Sequence, residues 1–268
     1  MPVIETDGLT KLYGSSRGIE DVSFSVEAAE VFGFLGPNGA GKTTTIRALL
    51  DLLHPSAGSA RIFGLDSRRE SVAIRARLGN LPGDFGYGRQ ATGRGALRLV
   101  ARLRGIDGLG RAEALAERFR ADLDRPLGEL SRGNRQKVGL ILATFHSPEL
   151  LILDEPTSGL DPLMQEEFLA LVAEERERGC TVLLSSHELD EVERVCDRVG
   201  IVRDGKLIAV ERVADLLGKT QRRNLVEVEF AQPVELKDVR AIPGVVDAEF
   251  AHATLEEVFL TYYGEGPR

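Results

Sequence analysis

Nine consecutive residues constrain this chain more than any other stretch: Gly36-Pro37-Asn38-Gly39-Ala40-Gly41-Lys42-Thr43-Thr44. Gly36, four intervening residues, then Gly41-Lys42-Thr43 have the spacing of a phosphate-binding loop. Val31 to Leu35 ahead of it reads as a buried strand. Thr43 to Leu53 behind it reads as a helix with Ile46, Leu49, Leu50 and Leu53 on one face. In that context the glycines let the backbone wrap a polyphosphate, with successive N–H groups aimed at its oxygens. The helix N-terminus adds its positive dipole end at the same spot. Lys42 supplies a full charge to the β- and γ-phosphates, and the Thr43 hydroxyl is a ligand for Mg²⁺. The bare pattern also arises by chance as a Gly-rich turn before an ordinary helix, so the rest of the chain has to support it.

Composition sets the outer limits. The chain has 268 residues, enough for one large domain or one domain with a small appendage. Its formal charge of -8 disfavours a broad nucleic-acid surface. The first residues lack the basic-then-apolar layout of a secretion signal, and no apolar run approaches the roughly 18 residues needed to span a bilayer. The expectation is a cytoplasmic protein whose membrane contact runs through a partner. Cys180 and Cys196 stand outside any CxxC or Cys/His cluster and read as reduced structural thiols.

In chain order, Ile4 to Leu9 reads as a strand, and Val22 to Val26 alternates as a half-exposed antiparallel strand. Tyr13 lies between them in a turn region. Its ring would either stack on an adenine or cover a sheet edge, and spacing leaves both open. A turn and strand over Ala57 to Gly64 follow the first helix, then a short strand near Leu78 that runs into a Gly/Pro loop at Pro82-Gly83-Asp84. From Ala91 to about Phe145 the pattern turns helical, with Leu97, Val100, Leu103 and Leu115, Phe119, Leu123 at helical spacings. Ser131 is placed to cap a helix whose core face is Val138, Ile141, Leu142 and Phe145.

Leu150 to Leu153 is a continuous apolar strand that ends in Asp154-Glu155. Two acids there are costly without a positive partner, and Mg²⁺ on the phosphates would be one. Asp154 would then hold the metal and Glu155 polarise the attacking water. A helix cap explains one of these carboxylates well and both poorly. Pro162 suits the first position of the next helix. Thr181 to Ser185 is another buried strand, with His187 just past its C-terminal end. Ligands of open α/β sheets bind at that edge, which favours a γ-phosphate contact for His187. Arg198 to Arg203 and Lys206 to Val210 form a hairpin around Asp204-Gly205.

The motifs stand in one order: Gly36 to Thr44, the Leu81 to Phe85 loop, Leu130 to Asn134, Leu151 to Pro156 with Asp161, and His187. That order resembles the ATP-binding subunit of ABC transporters over about Val3 to Glu211. Leu130-Ser131-Arg132-Gly133-Asn134-Arg135-Gln136-Lys137 and the tail around Leu255 to Tyr263 are similar to the multidrug, ABC-2-type exporter ATPases. The resemblance implies an α/β fold: a P-loop ABC ATPase core with an antiparallel β subdomain, a helical subdomain at about residues 88–147 and a short C-terminal α+β extension. The ATPase would span residues 1–218 and the extension 219–268.

It also implies two copies of the chain sandwiching two ATP molecules and driving a separate integral-membrane permease at the inner face of the cell membrane. Glu155 and His187 would be catalytic, and Thr43 and Asp154 would hold Mg²⁺. Ser131 and Gly133 would reach the γ-phosphate held by the other copy. Asp161 belongs to the same nucleotide-contacting set, and Tyr13 matches the family's adenine-stacking aromatic. Three departures stand out. Gly83, followed by Asp84, holds the place of the family's loop glutamine. The signature reads Ser-Arg-Gly-Asn rather than Ser-Gly-Gly-Gln. The tail beyond Gly218 is short. An Asp84 turned inward would crowd a third carboxylate against Asp154 and Glu155, so the outward orientation is expected. The competing class is a transporter-independent ATP-gated clamp on a ribosome, DNA or a cofactor-assembly complex. A single motif set, no sustained heptads and the acidic charge disfavour it.

Overall fold

The computed structural model describes residues 2–14, 16–84, 88, 90–220 and 236–242. Its strands are β1 Ile4–Tyr13, β2 Ser16–Val26, β3 Val31–Leu35, β4 Ala57–Ile62, β5 Leu65–Asp66, β6 Leu78–Leu81, β7 Leu150–Asp154, β8 Thr181–Ser186, β9 Arg198–Arg203 and β10 Lys206–Arg212. Its helices are α1 Lys42–Leu49, α2 Ser71–Arg77, α3 Gly93–Arg104, α4 Gly110–Arg118, α5 Arg132–Thr144, α6 Pro162–Glu177, α7 Leu189–Val195, α8 Val213–Thr220 and α9 Leu236–Arg240. The chain divides into two compact units, Met1–Arg212 and Val213–Arg268. In the second unit α8 and α9 are described; the strands expected at Leu225 to Phe230 and Pro243 to Phe250, and the helix expected from Thr254, lie outside the described residues.

Two sheets build the first unit. One is antiparallel, in the order β2-β1-β4-β5. The other runs β10-β9-β3-β8-β7-β6, parallel from β9 to β6 with β10 antiparallel at the edge. The parallel strands β3, β7 and β8 are buried along their whole length, as continuous apolar runs covered on both faces must be. One core joins the two sheets, contributed by Ile4, Val22 and Phe24 on one side, Phe32, Phe34, Ile152 and Leu183 on the other, and Ile46 and Leu49 of α1. Phe24, Phe32 and Phe34 form its aromatic centre, with ring centroids 4.9 to 5.8 Å apart.

Three elements differ from the pattern read in the sequence. Strand β1 continues past Leu9 to Tyr13, because Gly8 at φ 58° takes up an irregularity in the pairing with β2. Helix α1 stops at Leu49, and Asp51 at φ 53° turns the chain away, leaving Leu53 only half-buried. Leu103 was expected on the apolar face of α3 and is instead 78% exposed. The inward position at that end belongs to Arg104. Its guanidinium donates to the carbonyls of Arg75, Ala76 and Leu78, satisfying the C-terminal end of α2. Of the other expected positions, Val100 is half-buried, and Leu97, Leu115, Phe119, Leu123, Val138, Ile141, Leu142 and Phe145 are buried.

Candidate functional site

The C-terminal ends of β3, β7 and β8 lie side by side. Each hands the chain to a loop there, which brings residues far apart in sequence to one edge. After β3 the chain forms the Gly36 to Gly41 loop. Gly39 at φ 83° and Gly41 at φ 113° occupy backbone conformations that L side chains rarely adopt. A β-carbon on Gly41 would also stand 2.8 Å from Ile19 Cγ2. Two backbone bonds brace this loop from behind: Gly205 N–H donates to the Ala40 carbonyl (2.9 Å), and Glu20 N–H donates to the Gly205 carbonyl (2.7 Å). The Asp204-Gly205 hairpin thus ties the loop to β2.

Lys42 opens α1 with its ammonium buried. It donates to the Gly36 carbonyl and, at 3.4 Å, to that of Pro37, and it stands 3.0 Å from Glu155 Oε1. Glu155 has φ 51°, a strained conformation for a residue with a side chain. Its backbone is held on both sides. The N–H donates to the Ser185 carbonyl (3.2 Å) and hydroxyl (3.0 Å), and the C=O accepts from Gln136 Nε2 (3.0 Å). Its other carboxylate oxygen meets His187 Nδ1 at 2.6 Å. Neighbouring Asp154 is buried, and its Oδ1 accepts from Ser185 Oγ at 2.6 Å. Its Oδ2 faces Gly83, where a β-carbon would stand 3.0 Å away. Asp84 points outward, its side chain essentially fully exposed and 4.0 Å from Arg47.

A cleft of about 230 Å³ is lined by Tyr13, Gly18, Pro37, Asn38, Gly39, Ala40, Gly41, Lys42, Thr43, Thr44 and Glu155. Gly36, Asp154 and His187 connect to this group through Lys42, Ser185 and Glu155. Tyr13 is 47% exposed, with its ring against Gly18, where a β-carbon would meet Tyr13 Cε2 at 2.7 Å. The remaining expected residues do not line the cleft. Ser131 caps α5 by accepting from Asn134 N–H (3.2 Å), and Asp161 caps α6 by accepting from Met164 N–H (3.1 Å). Gly133 packs on the Gly159 carbonyl so closely that a β-carbon would stand 2.4 Å from it. Ser131, Gly133 and Asp161 therefore gather at the turn after β7, where Arg132 also donates to Ser158 Oγ (2.6 Å).

For Mg²⁺ the donor chemistry fits. Thr43 and Asp154 offer oxygen, and Asp154 Oδ2 is turned toward a glycine rather than a side chain. Among the described residues no cluster of three or more His, Cys, Asp or Glu could hold a metal alone. Sequence reading passed over Ser185, Gln136, Gly18 and Gly205 as working parts. A signal existed for two of them: Ser185 is a polar residue inside a buried run, and Gln136 falls on the core side of an amphipathic helix. The glycines act through backbone proximity, which no side-chain pattern records.

Against known proteins, residues 19–158 match a protein-family model described as ABC transporter. The chain is 39% identical over 209 residues to the bacitracin transport ATP-binding protein BcrA of Bacillus licheniformis, covering 77% of this chain and 68% of the relative. It is 35% identical over 276 residues to the Nod factor export ATP-binding protein I of Paraburkholderia xenovorans (strain LB400), covering 95% of this chain and 90% of the relative. Among solved structures, an ATP-binding subunit of an ABC transporter superposes with a TM-score of 0.74 at 31% identity, covering 81% of this chain and 92% of that one.

Proposed function

Because this chain belongs to the ABC transporter ATP-binding family, we propose that it is the ATP-hydrolysing subunit of an exporter, working as a pair of copies on an integral-membrane permease. The observation that carries this is the meeting of Lys42, Glu155 and His187 at one sheet edge, within 3.0 Å and 2.6 Å of one another. Lys42 and the loop N–H groups hold the β- and γ-phosphates. Tyr13 packs on the adenine, its ring braced from behind by Gly18. Glu155 takes the proton of a water attacking the γ-phosphorus, and ADP leaves with its β-oxygen. His187 holds Glu155 in line through Nδ1 and faces the γ-phosphate. Bound Mg²⁺, held by Thr43 and Asp154, would neutralise charge on the phosphate oxygens.

One copy is an incomplete site. Ser131 and Gly133, with α5 behind them, stand outside the cleft, and we assign them to the nucleotide held by the second copy. Asp161 stands beside them at that face. The relatives named above are transport and export proteins, which favours a transporter over a free-standing clamp. Among the described residues no helix is long and apolar enough to cross a membrane. In this reading the chain sits at the inner face of the cell membrane through its permease.

The test is Glu155→Gln. It preserves shape and removes the base, so ATP binding should persist while turnover falls roughly 10²-fold or more. Near-normal turnover would overturn the assignment.

A further inference from the structure

Among the described residues, Glu191 is the buried carboxylate near this edge that the reaction above leaves without a task. It lies in the first turn of α7, four residues after His187, and is 5% exposed. One oxygen, Oε2, accepts two hydroxyl bonds at once. Ser186 Oγ donates at 2.6 Å and Thr157 Oγ1 at 3.2 Å. Its other oxygen is buried without a hydrogen-bond partner. Ser186 immediately precedes His187, and Thr157 follows Glu155 by two residues. A single carboxylate therefore bridges the ends of β7 and β8 at the point where Glu155 and His187 leave them.

A carboxyl in such a place needs a reason. Burial pushes it up to about 7, against the two hydroxyl bonds that favour its charge, and the nearby Glu188 and Glu155 carboxylates push the same way. An apolar residue would avoid that cost. What an apolar residue cannot do is accept two hydroxyls from two different loops. Glu155 needs such a tie because it is strained at φ 51°, and strained residues persist only where their surroundings over-determine them. Ser185 and Gln136 fix the backbone of Glu155 and Pro156, and Thr157 Oγ1 extends the restraint from this turn to α7.

We propose that Glu191 is a positioning residue for hydrolysis: its Oε2 locks the turn carrying His187 to the turn that follows Glu155, and so holds the histidine and the general base in register. This rests on the ATPase reading given above. Glu191 does not line the cleft. Its loss should therefore lower the rate of the chemical step and leave nucleotide binding alone, since a misplacement of about 1 Å in a catalytic group costs up to roughly 10²-fold in rate. A neutral amide still presents one oxygen to both hydroxyls, so Glu191→Gln should restore most of the function.

The experiment measures kcat, KM for ATP and binding of a non-hydrolysable analogue for Glu191→Ala, Glu191→Gln and Thr157→Val, with Glu155→Gln alongside. Expected is a fall in kcat of about 10-fold or more for Glu191→Ala with KM and analogue affinity within about 2-fold, and recovery to near wild-type kcat in Glu191→Gln. Thr157→Val keeps the volume and removes one donor, so kcat should fall several-fold with KM unchanged. If Glu191→Ala does not fold, Thr157→Val decides the question by the same split. Wild-type kcat in Glu191→Ala or Thr157→Val, or a joint loss of kcat and affinity that Gln does not rescue, would overturn the proposal. Glu155→Gln separates the two levels. Its retained activity would remove the ATPase reading itself, whereas its loss beside an unaffected Glu191→Ala removes only the role of Glu191.

Discussion

At the scale of single residues, the site is built from charges that answer one another. Lys42 is buried and would be costly alone, but it stands against Glu155 and two carbonyls. Removing it takes away the fixed positive charge at the phosphates. Lys42→Ala should therefore weaken nucleotide binding itself, by roughly 10-fold or more at the scale of a charge-assisted contact. Isothermal titration with a non-hydrolysable analogue reads this, and unchanged affinity would remove the phosphate-loop assignment. A different group contributes to acid stability. His146 is held down to about 4, first by burial and then by the Arg104 guanidinium. Its folded value lies below its ordinary one, so between pH 6.5 and 4 the unfolded chain takes up a proton that the folded chain refuses. Stability is lost as pH falls through that window, by on the order of 3 kcal/mol. His146→Phe keeps a ring beside Phe145 and should show a smaller drop in denaturation midpoint between pH 7 and pH 5; an identical drop would exclude His146 as its source.

At the scale of elements, most of what places the site was legible. The uninterrupted apolar runs of β3, β7 and β8 announce buried parallel strands, and a phosphate loop, an acidic pair and a histidine at their ends follow from reading where each run stops. Ser131 and Pro162 mark helix starts that the structure confirms. What stayed hidden depends on approach between backbones. Nothing in Asp204-Gly205 beyond a tight turn indicates that it braces the phosphate loop 165 residues earlier. A β-carbon on Gly205 would stand 2.8 Å from the Gly18 carbonyl, and Gly205 already holds φ 76°. Gly205→Ala should push β2 and the loop apart, reducing affinity for ATP while leaving the fold intact. Circular dichroism and analogue titration together check this, and wild-type affinity would show that the brace is dispensable. The exposure of Leu103 was equally hidden, because a long arginine outcompeted a leucine for the inward position by satisfying three carbonyls.

At the scale of the whole molecule, the residues that we assign to the nucleotide fall into two separate groups on one chain. Tyr13, the Pro37 to Thr44 loop and Glu155 share a cleft. Ser131, Gly133 and Asp161 cluster apart from it around the turn following β7. The resemblance implies that division, and in the function proposed above a second copy completes the site. The loop lacking glutamine fits the same picture. Asp84 faces away from Asp154, so Asp84→Asn should leave Mg²⁺-dependent activity of the isolated subunit within about 2-fold, as exposed substitutions usually do. A large loss in the nucleotide-saturated subunit would mean that Asp84 turns inward on binding.

The most direct test of the shared site is the mass of Glu155→Gln in solution with and without ATP, measured by light scattering after size exclusion. If ATP joins two copies and hydrolysis releases them, this variant should be a monomer alone and a stable dimer with ATP. Adding Ser131→Asp, which keeps an acceptor at the cap of α5, should abolish the dimer by placing a carboxylate against the γ-phosphate held by the other copy. A variant that stays monomeric with bound ATP, or a dimer indifferent to Ser131→Asp, would contradict a site completed by the second copy.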